Sequence, residues 1–96
     1  MAILTTFKVS GDPDELVRRG MEQVEPQMAD VAARNGAIAR IIVNDGDGLR
    51  FFHLWETEEG MRKTGEEMGG RIQELDFPEQ EDWKQFEVLH HVTQAS

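Results

Sequence analysis

Ninety-six residues support one hydrophobic core and no second domain; a chain this short buries only a little over ~60% of its unfolded surface, so a partner subunit is a natural source of extra burial. Nineteen acidic against ten basic residues give a net charge of −9, a field that repels nucleic acid and anionic membranes. The absence of cysteine removes disulfides, thiolate metal sites and cysteine nucleophiles together.

Met1-Ala2-Ile3-Leu4 lacks a basic n-region, and no stretch approaches the ~18 apolar residues of a membrane span, so a cytoplasmic protein is expected. Residues 3–9, rich in β-branched and aromatic side chains and closed by Ser10-Gly11, read as a first strand. Asp12-Pro13-Asp14-Glu15 reads as a helix start, with Asp12 as N-cap, Pro13 at the first helical position and Glu15 completing a capping box. Val17, Met21, Val24, Met28 and Val31 then form one apolar stripe. Pro26 lies within it and predicts a kink near residues 23–25, and Asn35-Gly36 supplies a left-handed C-cap.

Residues 37–43 form a second strand, Asn44-Asp45-Gly46-Asp47-Gly48 a hairpin loop, and residues 49–56 an antiparallel third strand. Thr57 caps a second helix, with Glu58 and Glu59 in its first turn and Met61, Gly65, Met68, Ile72 and Leu75 as its stripe. A loop over 76–83 leads to a last strand expected at 85–92, and Thr93 to Ser96 are expected to be loose. Between Glu56 and Asp82 ten acids face only Arg62, Lys63 and Arg71, a pattern read as a solvated surface in preference to a docking patch.

The order β-α-β-β-α-β predicts a single α+β domain over residues 1–96 with the ferredoxin-like fold, both helices on one face of a four-stranded antiparallel sheet and the first and third strands central. In the third strand Leu49, Phe51, His53 and Trp55 point one way and Phe52 and Leu54 the other. A strand with one wetted face alternates apolar and polar, so something must cover the face that the helices leave bare. A second copy packed sheet to sheet, forming a dimeric α/β barrel, meets the requirement. Covering ~600 Å² per subunit is worth on the order of 15 kcal/mol before association costs.

Phe51-Phe52-His53-Leu54-Trp55-Glu56-Thr57-Glu58-Glu59-Gly60, a hydrophobic strand running through Trp into an acidic turn and a helix, resembles the antibiotic biosynthesis monooxygenase-like family of the dimeric α/β-barrel superfamily. The Asp12-Pro13-Asp14-Glu15-Leu16 helix start and the closing strand fit as well. The resemblance implies a homodimer and admits several activities, including cofactor-independent monooxygenation of flat phenols or quinols, haem degradation, and no catalysis at all. Haem-degrading members carry an Asn on the first strand and a Trp and His near the second helix. Here the first strand has no Asn and residues 57–75 hold neither Trp nor His, which argues against haem breakdown. Tyrosine, which recurs in polyphenol-oxidising members, is absent throughout.

The residues themselves nominate His53, a mid-strand histidine beside Phe51 and Trp55, as general base toward a phenol or quinol, with no bound cofactor. The competing reading makes it a core histidine whose ring nitrogens are satisfied by neighbours or water. Phe51, Trp55, Met61, Gly65 and Met68 are nominated as walls for a flat aromatic molecule, against a reading in which all are packing. Gly65 and Gly69 are weighed as close helix-sheet approach, a frayed helix or room for a ligand. His90 and His91, adjacent on the expected strand, would point to opposite faces and cannot share a metal. For haem, His53 or His90 would be the axial ligand. No phosphate loop, His-Glu-x-x-His run or nucleophile elbow occurs. The leading expectation is a dimer that binds a small flat apolar molecule, and the alternative is a non-catalytic binding or stress-response barrel.

Overall fold

The computed structural model describes residues 1–94, so of the tail expected to be loose Ala95 and Ser96 lie outside the described residues. Its elements are β1 (Ile3–Ser10), α1 (Pro13–Arg19), a π turn (Gly20–Val24), α2 (Glu25–Arg34), β2 (Ala37–Asn44), β3 (Gly48–Trp55), α3 (Glu58–Glu74) and β4 (Glu81–Glu87). All strand pairs are antiparallel, and the order β2-β3-β1-β4 is that of the ferredoxin-like βαββαβ fold, with β1 and β3 central. No helix among the described residues is long and apolar enough to cross a membrane.

Register assigns the faces. Ile3, Thr5, Phe7 and Val9 of β1 lie opposite Trp55, His53, Phe51 and Leu49 of β3. This face is the inner one: Phe7, Val9, Leu16 and Leu49 form a buried cluster against which Phe51 and Phe77 pack. The outer face carries Ala39, Leu54, Leu4 and Phe86 in one row and Ile41, Phe52, Thr6 and Lys84 in the next. Its far end is charged, where Lys8 meets Asp47 at 2.6 Å and Arg50 meets Asp82 at 2.8 Å.

The first helical stretch departs from the single stripe expected for it. Leu16 is buried, whereas Val17 is 37% exposed and Met21 45%. The cause is the π turn, whose closing Glu25 N–H bonds back to Gly20 O, five residues earlier. It absorbs one extra residue, so Leu16 and not Val17 falls in line with the buried Val31. Pro26 produces this irregularity just upstream of itself because it has no N–H to give and crowds the preceding turn. The capping box is also absent: the Asp12 side chain makes no cap bond and Glu15 pairs with Arg18 at 2.6 Å.

Two other end signals hold. Gly36 takes φ +85 after α2, and Thr57 Oγ1 accepts the Gly60 N–H at 3.1 Å. The Asn44 side chain likewise accepts the Gly46 N–H at 2.8 Å to close the β2–β3 hairpin.

The last strand lies earlier than residues 85–92. β4 pairs Glu87 with Ile3, and Val88 N–H reaches Ala2 O at 2.9 Å. Beyond that point β1 offers only Met1 as a neighbour, so Leu89 to Val92 have no ladder to join. His90 and His91 consequently sit in an irregular exposed segment and not on a strand. Every residue of β4 is exposed, as befits an edge strand.

Candidate functional site at His53

His53 sits on the inner face of β3, 9% exposed, edge-on to three aromatic rings. The centroids of Phe7, Phe51 and Trp55 lie at 5.7, 6.2 and 5.9 Å with interplanar angles of 85°, 80° and 81°. Phe7 and Phe51 stack on each other at 4.7 Å. The period-two geometry of β3 sets Phe51, His53 and Trp55 in one row, and the β1 register adds Phe7. Trp55 is 2% exposed and its indole N–H donates to Thr5 Oγ1 at 3.3 Å, so that donor is already engaged.

No side-chain hydrogen bond joins the His53 ring to another described residue, yet no fully buried side-chain nitrogen or oxygen among the described residues lacks a partner. Its ring nitrogens therefore keep a small contact with solvent, open to a water or to a ligand. Burial, reinforced by the Arg40 guanidinium and opposed by Glu25, pushes the imidazole down to about 4. At neutral pH it is uncharged and can accept a proton.

Arg40 stands directly opposite His53 in the β2–β3 register. It forms a two-pronged pair with Glu25, Nη1 to Oε1 at 2.5 Å and Nη2 to Oε2 at 3.0 Å. Sequence reading passed over both residues. The available signals were a lone charge in the apolar run Ala37–Val43 and the hairpin register, which sets residue 40 against residue 53.

The remaining nominated residues separate. Met68 is buried and Met61 half-buried on the inner stripe of α3, which Thr64 and Gly60 share. Gly65 lies outside that stripe: it is exposed, and a Cβ there would meet nothing within 4 Å. It marks neither close packing nor fraying, since α3 is continuous from Glu58 to Glu74. Close approach occurs at Gly60, where a Cβ would overlap the Asn35 carbonyl oxygen.

Two of the shallow grooves on the described surface lie near these elements. One of about 340 Å³ lies at the start of α3 among Asn35, Glu56, Thr57, Glu59 and Lys63. The other, about 250 Å³, lies between α2 and β2 and is lined by Ala29, Ala33, Ala37, Ile38, Ala39 and Arg40. Neither is lined by His53. No three His, Asp or Glu side chains converge as a metal site among the described residues.

No protein-family model and no curated protein matches this chain. Solved structures do match over nearly its whole length. A dimeric ferredoxin-like protein from an uncultured marine organism superposes with a TM-score of 0.70 at 12% identity, covering 98% of this chain and 93% of its own. A proposed antibiotic biosynthesis monooxygenase from Chloroflexus aurantiacus J-10-fl gives 0.68 at 12%, covering 97% and 98%. SnoaB, a cofactor-independent oxygenase from Streptomyces nogalater, gives 0.60 at 19%, covering 97% and 96%. At these identities the likeness is one of fold: this chain is built on the ferredoxin-like βαββαβ unit that these structures share.

Proposed function

We propose that the chain acts as a homodimer, joined through the outer face of its sheet, whose His53 site binds a flat phenol or quinol and oxidises it with O₂ without a bound cofactor. The observation that carries this reading is a neutral imidazole without a protein partner, framed by Phe7, Phe51 and Trp55. Phe51, Trp55 and Met68 supply apolar walls, with Met61 earlier on the same inner stripe of α3, while Gly65 faces outward and takes no part. The fold shared with a cofactor-independent oxygenase agrees with it. The dimer is supported by the outer face itself, where Ile41 and Phe86 are 53% and 50% exposed beside the half-buried Leu4, Phe52 and Leu54.

His53 would take the phenolic proton, and the resulting electron-rich carbanion or phenolate would reduce O₂ directly. One oxygen atom converts a ring CH₂ to C=O and the other leaves as water with both hydrogens, so no external reductant is consumed. Proton transfer from a phenol of pKa ~10 to an imidazole near 4 is uphill by ~8 kcal/mol at ~1.4 kcal/mol per unit. The new oxyanion must therefore be stabilised in place. Oxygen uptake with anthrone is the test: wild type should exceed the buffer rate and His53→Ala should fall by 10²-fold or more. Uptake at the buffer rate for anthrone and for a quinol refutes the reading. A second reading, a non-catalytic barrel in which these residues are core, is favoured by the position of the two grooves described, neither of which His53 lines.

A further inference from the structure

The oxyanion required by that chemistry needs a cation, and one lies across the ladder from His53. Arg40 occupies the register position facing it, with both guanidinium arms held by the two oxygens of Glu25. The two side chains are 23% and 32% exposed, so the pair sits at the edge of the core and not inside it. A guanidinium fork gripped by a carboxylate can equally grip any planar group with two neighbouring oxygens. Glu25 also stands at an irregular point of the helix: it closes the π turn, and the next residue, Pro26, contributes no N–H. Arg40 also lines the surface groove that Ala29, Ala33, Ala37, Ile38 and Ala39 share, so its side chain borders space open to a ligand from outside the core.

Resting on the function proposed above, we infer that Arg40 anchors the ligand of the His53 site, exchanging Glu25 for the paired oxygens of an aromatic acid or ortho-acyl phenol. Glu25 is then a placeholder that keeps the cation compensated in the empty protein. A chain of net charge −9 repels an anionic ligand at long range, so any preference for the anion must come from a local cation.

Titration calorimetry with 1-hydroxy-2-naphthoate and its neutral amide, 1-hydroxy-2-naphthamide, tests this. Wild type should bind the acid at least tenfold more tightly than the amide. Glu25→Gln should tighten the acid three- to tenfold and leave the amide unchanged, and Arg40→Met should erase the preference while still binding the amide. If Arg40→Met alone fails to fold because Glu25 is stranded, the double variant Glu25→Gln/Arg40→Met gives the same comparison. Equal affinity of wild type for the two compounds, or a preference that survives loss of Arg40, overturns the anchoring role and leaves the ring site standing. Binding of neither compound overturns both proposals.

Discussion

Replacing His53 by glutamine removes the buried titrating group while keeping a polar side chain, and the structure fixes the sign and size of the consequence. The free imidazole protonates near 6.5, whereas burial and Arg40 lower the folded value to about 4. Between those limits the unfolded chain binds a proton that the folded chain does not, so the stability present above pH 6.5 is lost as pH falls. Below about pH 4 both states are protonated and the loss levels off. Some 2.5 units at ~1.4 kcal/mol each amount to about 3 kcal/mol, a large part of the ~5–15 kcal/mol of a small domain. Asp47 and Asp82, held below the ordinary carboxylate range by Lys8 and by Arg50 with Lys84, lose their contribution only at lower pH and do so in both proteins. Urea unfolding of wild type and His53→Gln at fixed protein concentration from pH 7.5 to 4 isolates the difference. The stability advantage of wild type should shrink by about 3 kcal/mol across this range. A constant difference between the two proteins would refute the buried neutral imidazole and, with it, the base.

The π turn makes Leu16 and Val17 unequal despite their adjacency. Leu16→Ala should cost about 2–4 kcal/mol and Val17→Ala less than about 0.5 in chemical denaturation, an order that a helix without the π turn would reverse. Gly60→Ala should destabilise by about 2 kcal/mol or more, because its Cβ would run into the Asn35 carbonyl. Gly65→Ala, in open space on a helix, should stabilise by up to about 1 kcal/mol, seen as a rise in Tm.

Much of the architecture was legible because local and global signals agreed. β1, the β2–β3 hairpin, the Thr57 cap and the Gly36 terminus each carry a short-range signature, and their order leaves few topologies. The two apolar sides of β3 were legible for the same reason, since a period of two needs no tertiary information. What escaped needed more than local periodicity. The shift of the first helical stripe arises from a one-residue π insertion, which periodicity counting at 3.6 cannot see. β4 is an edge strand whose extent is set by where β1 begins, and its own exposed residues carry no alternation to read.

The site divided along the same line. Phe51 and Trp55 flank His53 by strand period alone, so they were nominated from the sequence. Trp55 N–H proved committed to Thr5, and Gly65 fell outside the stripe because Thr64 and Met68 take the inward positions of α3. Arg40 and Glu25 meet only through the fold, 15 residues apart across the turn from α2 into β2.

The account rests on a second copy covering the outer face of the sheet, and sedimentation velocity of wild type beside Ile41→Glu measures that directly. Ile41 is 53% exposed in the single chain, so a glutamate there costs the isolated fold little but places a charge within the proposed contact. Wild type should sediment as a dimer at micromolar concentration, and Ile41→Glu as a folded monomer. A monomeric wild type, or a dimer unaffected by that charge, would contradict the account.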